Sequence, residues 1–264
     1  MAPIMRTRLA LPLFLLAGLL VTAAHAQPQP ESTRVVVRAA SNDAKLIQDP
    51  VGGAHIRIVN TETGEVLAEG TQRGDSGSTD KIMRQPRERG TSIYDTPGAA
   101  HFETTLMLAR PTQVTVTARG PLDYPHAQQR TSKTLLLMPG EHLTGDGIVL
   151  PLHGFIVEAL QPTERSVSAG ETIDVRARVR MMCGCPTEPG GLWDSSRYTI
   201  RAELVGPSGG VVAATPLSYA GTTSEYEGSV TVPEGGATQL RVTAVDAERV
   251  NTGATTVDLA MDAE

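Results

Sequence analysis

A short segment in the second half of the chain, RMMCGCPTEPGGLWD, collects residue types that could bind a metal or exchange electrons. It holds both cysteines and the single tryptophan, with two adjacent methionines before the cysteines. In an extended strand every second side chain shares a face, so Met181, Cys183 and Cys185 are predicted on one side and Met182 on the other. Soft thiolate and thioether ligands select Cu(I), and Trp193 is placed to cap such a site through a cation–π contact. The segment therefore predicts a soft-metal site.

The same two cysteines have a second interpretation, a local disulfide. In exported proteins with an even number of cysteines, the cysteines are usually oxidised to disulfides. Cα atoms two residues apart in a strand lie about 6.6 Å from each other, near the upper limit for a bridge, and Gly184 permits the bend that would close it. A third interpretation is thiol–disulfide exchange, because a strained bridge near the surface is comparatively reducible. The disulfide ranks first as the state of Cys183 and Cys185, soft-metal binding follows closely, and redox exchange is third.

The first 26 residues have the pattern of a cleaved signal peptide. Arg6 and Arg8 precede the apolar run 9–21, and Ala24-His25-Ala26 gives the small-x-small cleavage pattern, which predicts a mature chain beginning near Gln27. The apolar run is too short to span a bilayer, and no later segment reaches the required length. We therefore expect a periplasmic or secreted protein with no membrane span in the mature chain.

Composition excludes several functions. Loss of Arg6 and Arg8 with the leader changes the formal net charge from −6 to −8, which argues against nucleic acid as a partner. Aromatic residues make up 3% of the chain, too few for stacking platforms that bind sugars or bases. No phosphate-cradling loop, zincin helix or nucleophile elbow occurs. We expect no catalytic residues, and no cofactor other than Cu(I).

The apolar residues follow strand patterns throughout. The chain has 26 glycines and 18 prolines, with turn signals about every ten residues, which is typical of all-β proteins. Alternation is clear in ETIDVRARVRM, where Ile173, Val175, Ala177 and Val179 share one face. A mature chain of roughly 240 residues is long enough for two domains. We expect an N-terminal β-sandwich over 27–153 and a C-terminal one over 154–264.

The strand pattern and length of the C-terminal half resemble the immunoglobulin-like modules of exported bacterial proteins. The hairpin over 54–70, with a turn at Thr63-Gly64, is similar to those of transthyretin-like and carboxypeptidase-regulatory-like domains. These resemblances imply an all-β chain of two consecutive immunoglobulin-like β-sandwich domains after the cleaved signal peptide.

Two loops are candidates for a shared binding surface. The poorly periodic stretch 71–100 is unusually long for a compact domain, and loops of this length are often functional, although a solvated flap is the favoured reading. The loop 185–197 is rich in Pro, Gly, Asp and Ser, so it is expected at one end of the second domain. If the two loops meet, they form a composite cleft between the domains. Its predicted lining is Arg84, Arg87, Tyr94, Asp95, Trp193 and Asp194.

The sequence thus favours an exported, non-catalytic binding or accessory protein. The leading hypothesis is Cu(I) handling through Met181, Met182, Cys183, Cys185 and Trp193, with a metal-delivery partner. The alternative is a structural or protein-interaction module of an envelope complex, in which a Cys183–Cys185 disulfide only locks a loop. A thiol–disulfide redox protein is the remaining hypothesis.

Overall fold

In the computed structural model of the chain, residues 29–163 and 165–262 are described, and the fold is all-β as expected. The predicted signal peptide, residues 1–26, lies outside this range. Within the described residues, no helix is both long and apolar enough to cross a bilayer.

The first sandwich packs a three-stranded sheet, in the order β4-β1-β7, on a four-stranded sheet, in the order β3-β2-β5-β6. Strands β1 and β7 pair in parallel, and the other pairs are antiparallel. The predicted hairpin is formed by β2 and β3, with Gly64 at a φ of +74° in the connection. The strands are β1 (Glu31–Ser41), β2 (Ala54–Asn60), β3 (Val66–Gln72), β4 (Phe102–Leu108), β5 (Thr112–Gly120), β6 (Gln129–Leu137) and β7 (Leu143–Leu152).

The second sandwich has sheets in the orders β13-β14-β10-β8 and β12-β11-β15-β16, and a short parallel pair of β9 and β17. Its strands are β8 (Phe155–Gln161), β9 (Ser166–Val167), β10 (Thr172–Met181), β11 (Thr199–Val205), β12 (Val211–Pro216), β13 (Ser218–Tyr219), β14 (Glu225–Thr231), β15 (Gln239–Asp246), β16 (Asn251–Asp258) and β17 (Ala260–Met261). This order matches the two-sheet arrangement of immunoglobulin domains, four strands A-B-E-D facing C-F-G with an added C′ strand. The expected immunoglobulin-like sandwich is therefore confirmed.

Period-two alternation explains how β10 is positioned. Ile173, Val175, Ala177 and Val179 are buried in the second core, while the residues between them face outward. Because a strand alternates its side chains between two faces, this run fixes the strand's register against β8 and β14.

The two sandwiches interlock at their junction. Ala44 of the first sandwich packs in the core of the second, while Ile156 and Met182 of the second pack in the core of the first. Polar bonds cross the same boundary, from Asn42 Nδ2 to the carbonyl of Arg249 at 2.7 Å and between His126 Nε2 and the carbonyl of Val157 at 2.9 Å. These contacts fix the relative position of the two halves.

Candidate functional site

The cysteine segment forms a tight reversal at the end of β10. The N–H of Met181 donates to the carbonyl of Cys185 at 3.0 Å, and the N–H of Gly184 donates to the carbonyl of Met181 at 2.8 Å. Gly184 has a φ of +79°, the left-handed conformation that glycine adopts without steric cost. Cys183 and Cys185 form a disulfide with a Cα–Cα distance of 5.3 Å. The predicted bend at Gly184 is present, but strand β10 ends at Met181 and does not extend to Cys185.

The sulfur-bearing side chains divide between the two cores. Met181, Cys183 and Cys185 lie in the second core and Met182 in the first, so the two predicted faces point into two different domains. The cysteines are 0% and 4% exposed, so the bridge is enclosed rather than near the surface as the redox interpretation assumed. Over residues 29–163 and 165–262, no group of three or more His, Cys, Asp or Glu side chains has the arrangement of a metal site.

A tyrosine hydroxyl contacts the thioether at the base of this reversal. Tyr198 Oη lies 3.9 Å from Met181 Sδ and is placed to donate to it. Burial, and next the Asp246 carboxylate, raises the pKa of the Tyr198 hydroxyl to about 12. A tyrosine hydroxyl is protonated at neutral pH in any case, so it is a donor toward sulfur there, and the shift extends this to more alkaline pH.

The reversal and the tryptophan dock onto the first sandwich. Gln48 Nε2 donates to the carbonyl of Cys183 at 2.9 Å. A Cβ at Gly184 would lie 2.9 Å from Cγ1 of Val51, so the backbone approaches that side chain closely. The Trp193 indole is 6% exposed, and its Nε1–H donates to the carbonyl of Asp43 at 3.1 Å. Trp193 thus joins the domains at the junction.

The loop 185–197 is more closely packed than its composition suggests. Thr187 is fully buried, and its hydroxyl donates to the carbonyl of Val179 at 2.6 Å. The Asp194 carboxylate accepts from the N–H groups of Gly190 at 2.8 Å and Ser196 at 3.0 Å. These hydrogen bonds lower the pKa of Asp194, and the one from Gly190 contributes most. Asp194 therefore shapes its own loop and caps a single 3₁₀ turn.

The long loop 71–100 is anchored by Asp146 on β7. The Asp146 carboxylate accepts from the Ser92 hydroxyl and from the N–H groups of Ile93, Tyr94 and Asp95 at 3.0, 2.7 and 2.9 Å. Burial alone would raise the pKa of Asp146, but these hydrogen bonds outweigh it and hold the pKa below its ordinary value. The segment 92–95 is therefore fixed to the sheet, while residues 84–92 of the same loop are exposed to solvent.

A buried arginine adds a second anchor for this loop. Arg38 on β1 is 2% exposed, and it donates to the carbonyl of Gly145 at 2.6 Å and to Asp95 Oδ1 at 3.0 Å. Neither Arg38 nor Asp146 was among the predicted site residues. A signal for Arg38 was present, because it is a charged residue within an otherwise apolar strand, VVVRAA.

A cavity of about 530 Å³ lies between this loop and the end of β1, close to the domain junction; we call it the junction cleft. Of the predicted cleft residues, Arg87 and Tyr94 line it, while Trp193 is not in the lining but donates to the carbonyl of the lining residue Asp43. Arg84 instead pairs with Asp80 at 2.8 Å. Asp95 accepts a hydrogen bond from Arg38, and Asp194 accepts from Gly190 and Ser196 within its own loop. The lining residues are Ala40, Ser41, Asn42, Asp43, Ala44, Ile82, Met83, Gln85, Arg87, Tyr94, Val149 and Pro151.

The junction cleft combines apolar walls with a few polar groups. The Asp43 carboxylate is held by Arg249 at 2.6 Å, and Arg87 supplies a guanidinium. The Ser41 hydroxyl is buried and has no hydrogen-bond partner among the described residues. Buried polar atoms are normally paired, so this hydroxyl is an exception within the wall of the cleft. The lining contains no histidine or cysteine.

Fold and site together define the class of protein, a tandem β-sandwich of immunoglobulin-like architecture with a cleft at its domain junction. No protein-family model and no curated protein sequence matches the chain. Among solved structures it is similar to the Dpr2 Ig1–Ig2 domains in complex with DIP-Theta Ig1–Ig3, at 8% identity and a TM-score of 0.29, over 87% of this chain and 100% of that one.

Two further structures have comparable likeness. A marsupial T cell receptor is 8% identical with a TM-score of 0.33, over 89% of this chain and 72% of that one. The titin Ig tandem domains are 10% identical with a TM-score of 0.25, over 89% and 97%.

Proposed function

We propose that this chain is an exported, non-catalytic interaction module that holds a segment of a partner protein in the junction cleft. The observation that carries the proposal is the cleft itself, which combines apolar side chains with the Asp43 carboxylate and the Arg87 guanidinium. A volume of about 530 Å³ lies within the range of ordinary ligand sites. Asp146 fixes the backbone of Tyr94, so this part of the lining is in place before the partner arrives, which lowers the entropic cost of binding.

The lining favours a peptide segment as the occupant. Ile82, Met83 and Tyr94 offer apolar surface for one side chain, and Asp43 and Arg87 flank it with opposite charges that suit a polar backbone. Tyrosine, methionine and arginine are enriched in protein interfaces, and tyrosine and arginine often dominate the binding energy. An envelope protein is the proposed partner class.

Export to the periplasm is part of the same proposal. Its support is the leader pattern of residues 1–26 and the disulfide, since disulfides persist in oxidising compartments. In this function the bridge stabilises the reversal that docks against Gln48 and Val51, and does not take part in chemistry.

Site-directed cross-linking in cells tests the cleft. A photo-cross-linking amino acid at Gln85, an exposed lining residue, should yield a discrete adduct with one envelope protein. The adduct should disappear when Arg87→Ala and Tyr94→Ala are combined, and persist with Arg201→Ala, an exposed arginine on β11 of the second sandwich. The absence of an adduct, or an adduct that the double substitution leaves unchanged, would reject the cleft as the partner site.

Cu(I) binding by the reduced chain is a second candidate function, with a metal-delivery partner. It is favoured by one observation, that Met181, Cys183 and Cys185 share a single core cluster. The bridge must first be reduced and the enclosed sulfurs exposed. Anaerobic titration of reduced protein with Cu(I) against a competing chelator tests it. Stoichiometric binding lost in Cys183→Ser supports copper, its absence rejects copper, and turnover with a dithiol protein would identify redox exchange.

A further inference from the structure

Two arginines and a histidine stand in one row on the outer face of sheet β3-β2-β5-β6. His55 on β2 is paired with Arg119 on β5, and Arg119 is paired with Arg130 on β6. Their neighbours Ile56 and Ala118 are fully buried, so strand alternation turns the three side chains of the row to the outer face. The row contains two fixed positive charges on adjacent strands of an acidic protein.

Folding does not explain this row. Like charges directly opposite on neighbouring strands are destabilising. Among the described residues, no carboxylate lies within 4.0 Å of Arg119 or Arg130. In the next row Arg57 does have such a partner, Glu69 at 3.7 Å. The Arg119 guanidinium is instead oriented by a neutral acceptor, Gln128 Oε1 at 3.0 Å. Two uncompensated guanidinium groups therefore remain available to a ligand.

The row borders a depression whose lining includes two threonines. Its volume is about 430 Å³, and its lining residues, which we call the cationic shelf, are His55, Arg57, Val59, Thr115, Thr117, Arg119 and Arg130. The Thr115 hydroxyl already bonds Thr134 at 3.1 Å, while Thr117 lies between the Arg57 position and Ser132 in the strand register. The shelf thus combines guanidinium, imidazole and hydroxyl groups around one depression.

We propose that the cationic shelf binds a phosphate group, with Arg119 and Arg130 as its principal donors. Opposite residues on paired antiparallel strands have Cα atoms about 4.5–5.5 Å apart, so two guanidinium groups can approach one tetrahedral anion from neighbouring strands. Guanidinium groups donate two parallel hydrogen bonds to phosphate oxygens, and a phosphate has enough oxygens for both. A single carboxylate, with two oxygens, is satisfied by one arginine. The site is separate from the junction cleft and does not depend on the proposed function.

The phosphate group has two sources that can be separated by experiment, a soluble phosphate compound and a phospholipid headgroup. Inorganic pyrophosphate, titrated into the mature protein by calorimetry at low ionic strength, represents the soluble source. Vesicles of phosphatidylcholine with and without phosphatidylglycerol, tested by co-sedimentation, represent the headgroup. Binding of pyrophosphate alone assigns the soluble source, and binding only to the phosphatidylglycerol vesicles assigns the lipid.

Variants connect the binding to the shelf. Arg119→Gln combined with Arg130→Gln should weaken the affinity at least tenfold, and the single change Arg130→Gln should weaken it less. The matched control Arg201→Gln removes the same charge from an exposed strand arginine of the second sandwich and should leave the affinity unchanged. Replacing both shelf arginines by lysine keeps the charge, so a partial loss is expected if bidentate geometry contributes. Thermal unfolding of each variant verifies the fold.

Three results would overturn the proposal. The first is that wild-type protein binds neither pyrophosphate nor phosphatidylglycerol vesicles. The second is that the Gln double variant and wild type bind the same probe equally. The third is binding to poly-glutamate without binding to either phosphate probe, which would assign the shelf to an acidic peptide.

Discussion

The Trp193 indole Nε1 donates a hydrogen bond of 3.1 Å to the main-chain carbonyl of Asp43 across the domain boundary. The two residues are 150 positions apart in the sequence. Asp43 has a φ of +54°, and its carboxylate pairs with Arg249 of the second sandwich at 2.6 Å. One residue of the first sandwich is therefore held from two sides by the second. Because Asp43 also lines the junction cleft, this link joins domain packing to the shape of the site.

Trp193→Phe tests that link. Phenylalanine keeps much of the apolar surface but has no N–H, so the Asp43 carbonyl loses its donor. We expect a loss of about 1–3 kcal/mol in the free energy of unfolding, measured by urea denaturation. The control is Leu192→Ala at the neighbouring, exposed position, which should change stability by less than about 0.5 kcal/mol. Equal effects of the two changes would contradict the assigned role of the indole N–H.

Gly184→Ala should destabilise the protein more than Gly190→Ala. Both glycines have left-handed backbones, with φ of +79° and +69°, so each alanine carries a conformational cost of about 1–2 kcal/mol. The added Cβ at Gly184 also meets Val51 Cγ1 at 2.9 Å, whereas nothing lies within 4 Å of the one at Gly190. The difference between the two variants in the free energy of unfolding, measured in urea, reports the cost of the contact with Val51 alone. No difference would show that the contact relaxes without cost.

The disulfide should resist reduction while the protein is folded. Both cysteines are buried, so a reductant must wait for local opening. In native buffer with a phosphine reductant we expect no free thiols on short incubation, and in urea we expect both thiols to react. Closing so small a ring contributes only about 1–2 kcal/mol, so Cys183→Ala with Cys185→Ala should still fold. Two reactive thiols in native buffer would instead favour the metal or redox function.

Anchoring of the long loop should fail at low pH. The folded-state pKa of Asp146 is lowered, so its stabilising effect is complete above the ordinary carboxyl value of about 3.9 and is lost as the pH falls through the lowered pKa. At neutral pH, Asp146→Asn should mimic this loss. We expect amide exchange of residues 93–95 to accelerate about tenfold, equivalent to about 1.4 kcal/mol. Glu141→Gln, an exposed change nearby, should leave their exchange unaltered.

The strands were predictable because their signals are local. Alternation of Ile173, Val175, Ala177 and Val179 identifies β10 without knowledge of the fold, and glycine at position 184 marks a bend that no other residue adopts as readily. The opposite orientations of Met181 and Met182 also follow from alternation. In each case the determining contacts lie within a few residues.

The anchors of the loop could not be predicted, since their partners are distant in sequence. Arg38 and the carbonyl of Gly145 are 107 residues apart, and Asp146 bonds amides more than 50 residues away. Of the residues predicted for one cleft, Arg87 and Tyr94 line the same cavity, whereas Arg84 pairs with Asp80 four residues earlier. Only the packed chain decides which of several nearby charges is free.

The parallel pairing of β1 with β7 sets the order in which the first sandwich can be completed. Val37 and its partner Ile148 are 111 positions apart in the sequence, so closure is non-local and is expected to be slow. A chain delivered from its N-terminus exposes β1 with one edge unpaired until β7 emerges, and β1 is almost wholly apolar from Val35 to Ala40. Such an edge invites pairing with other chains. Truncation before Leu143 should therefore produce aggregates rather than a stable half-molecule.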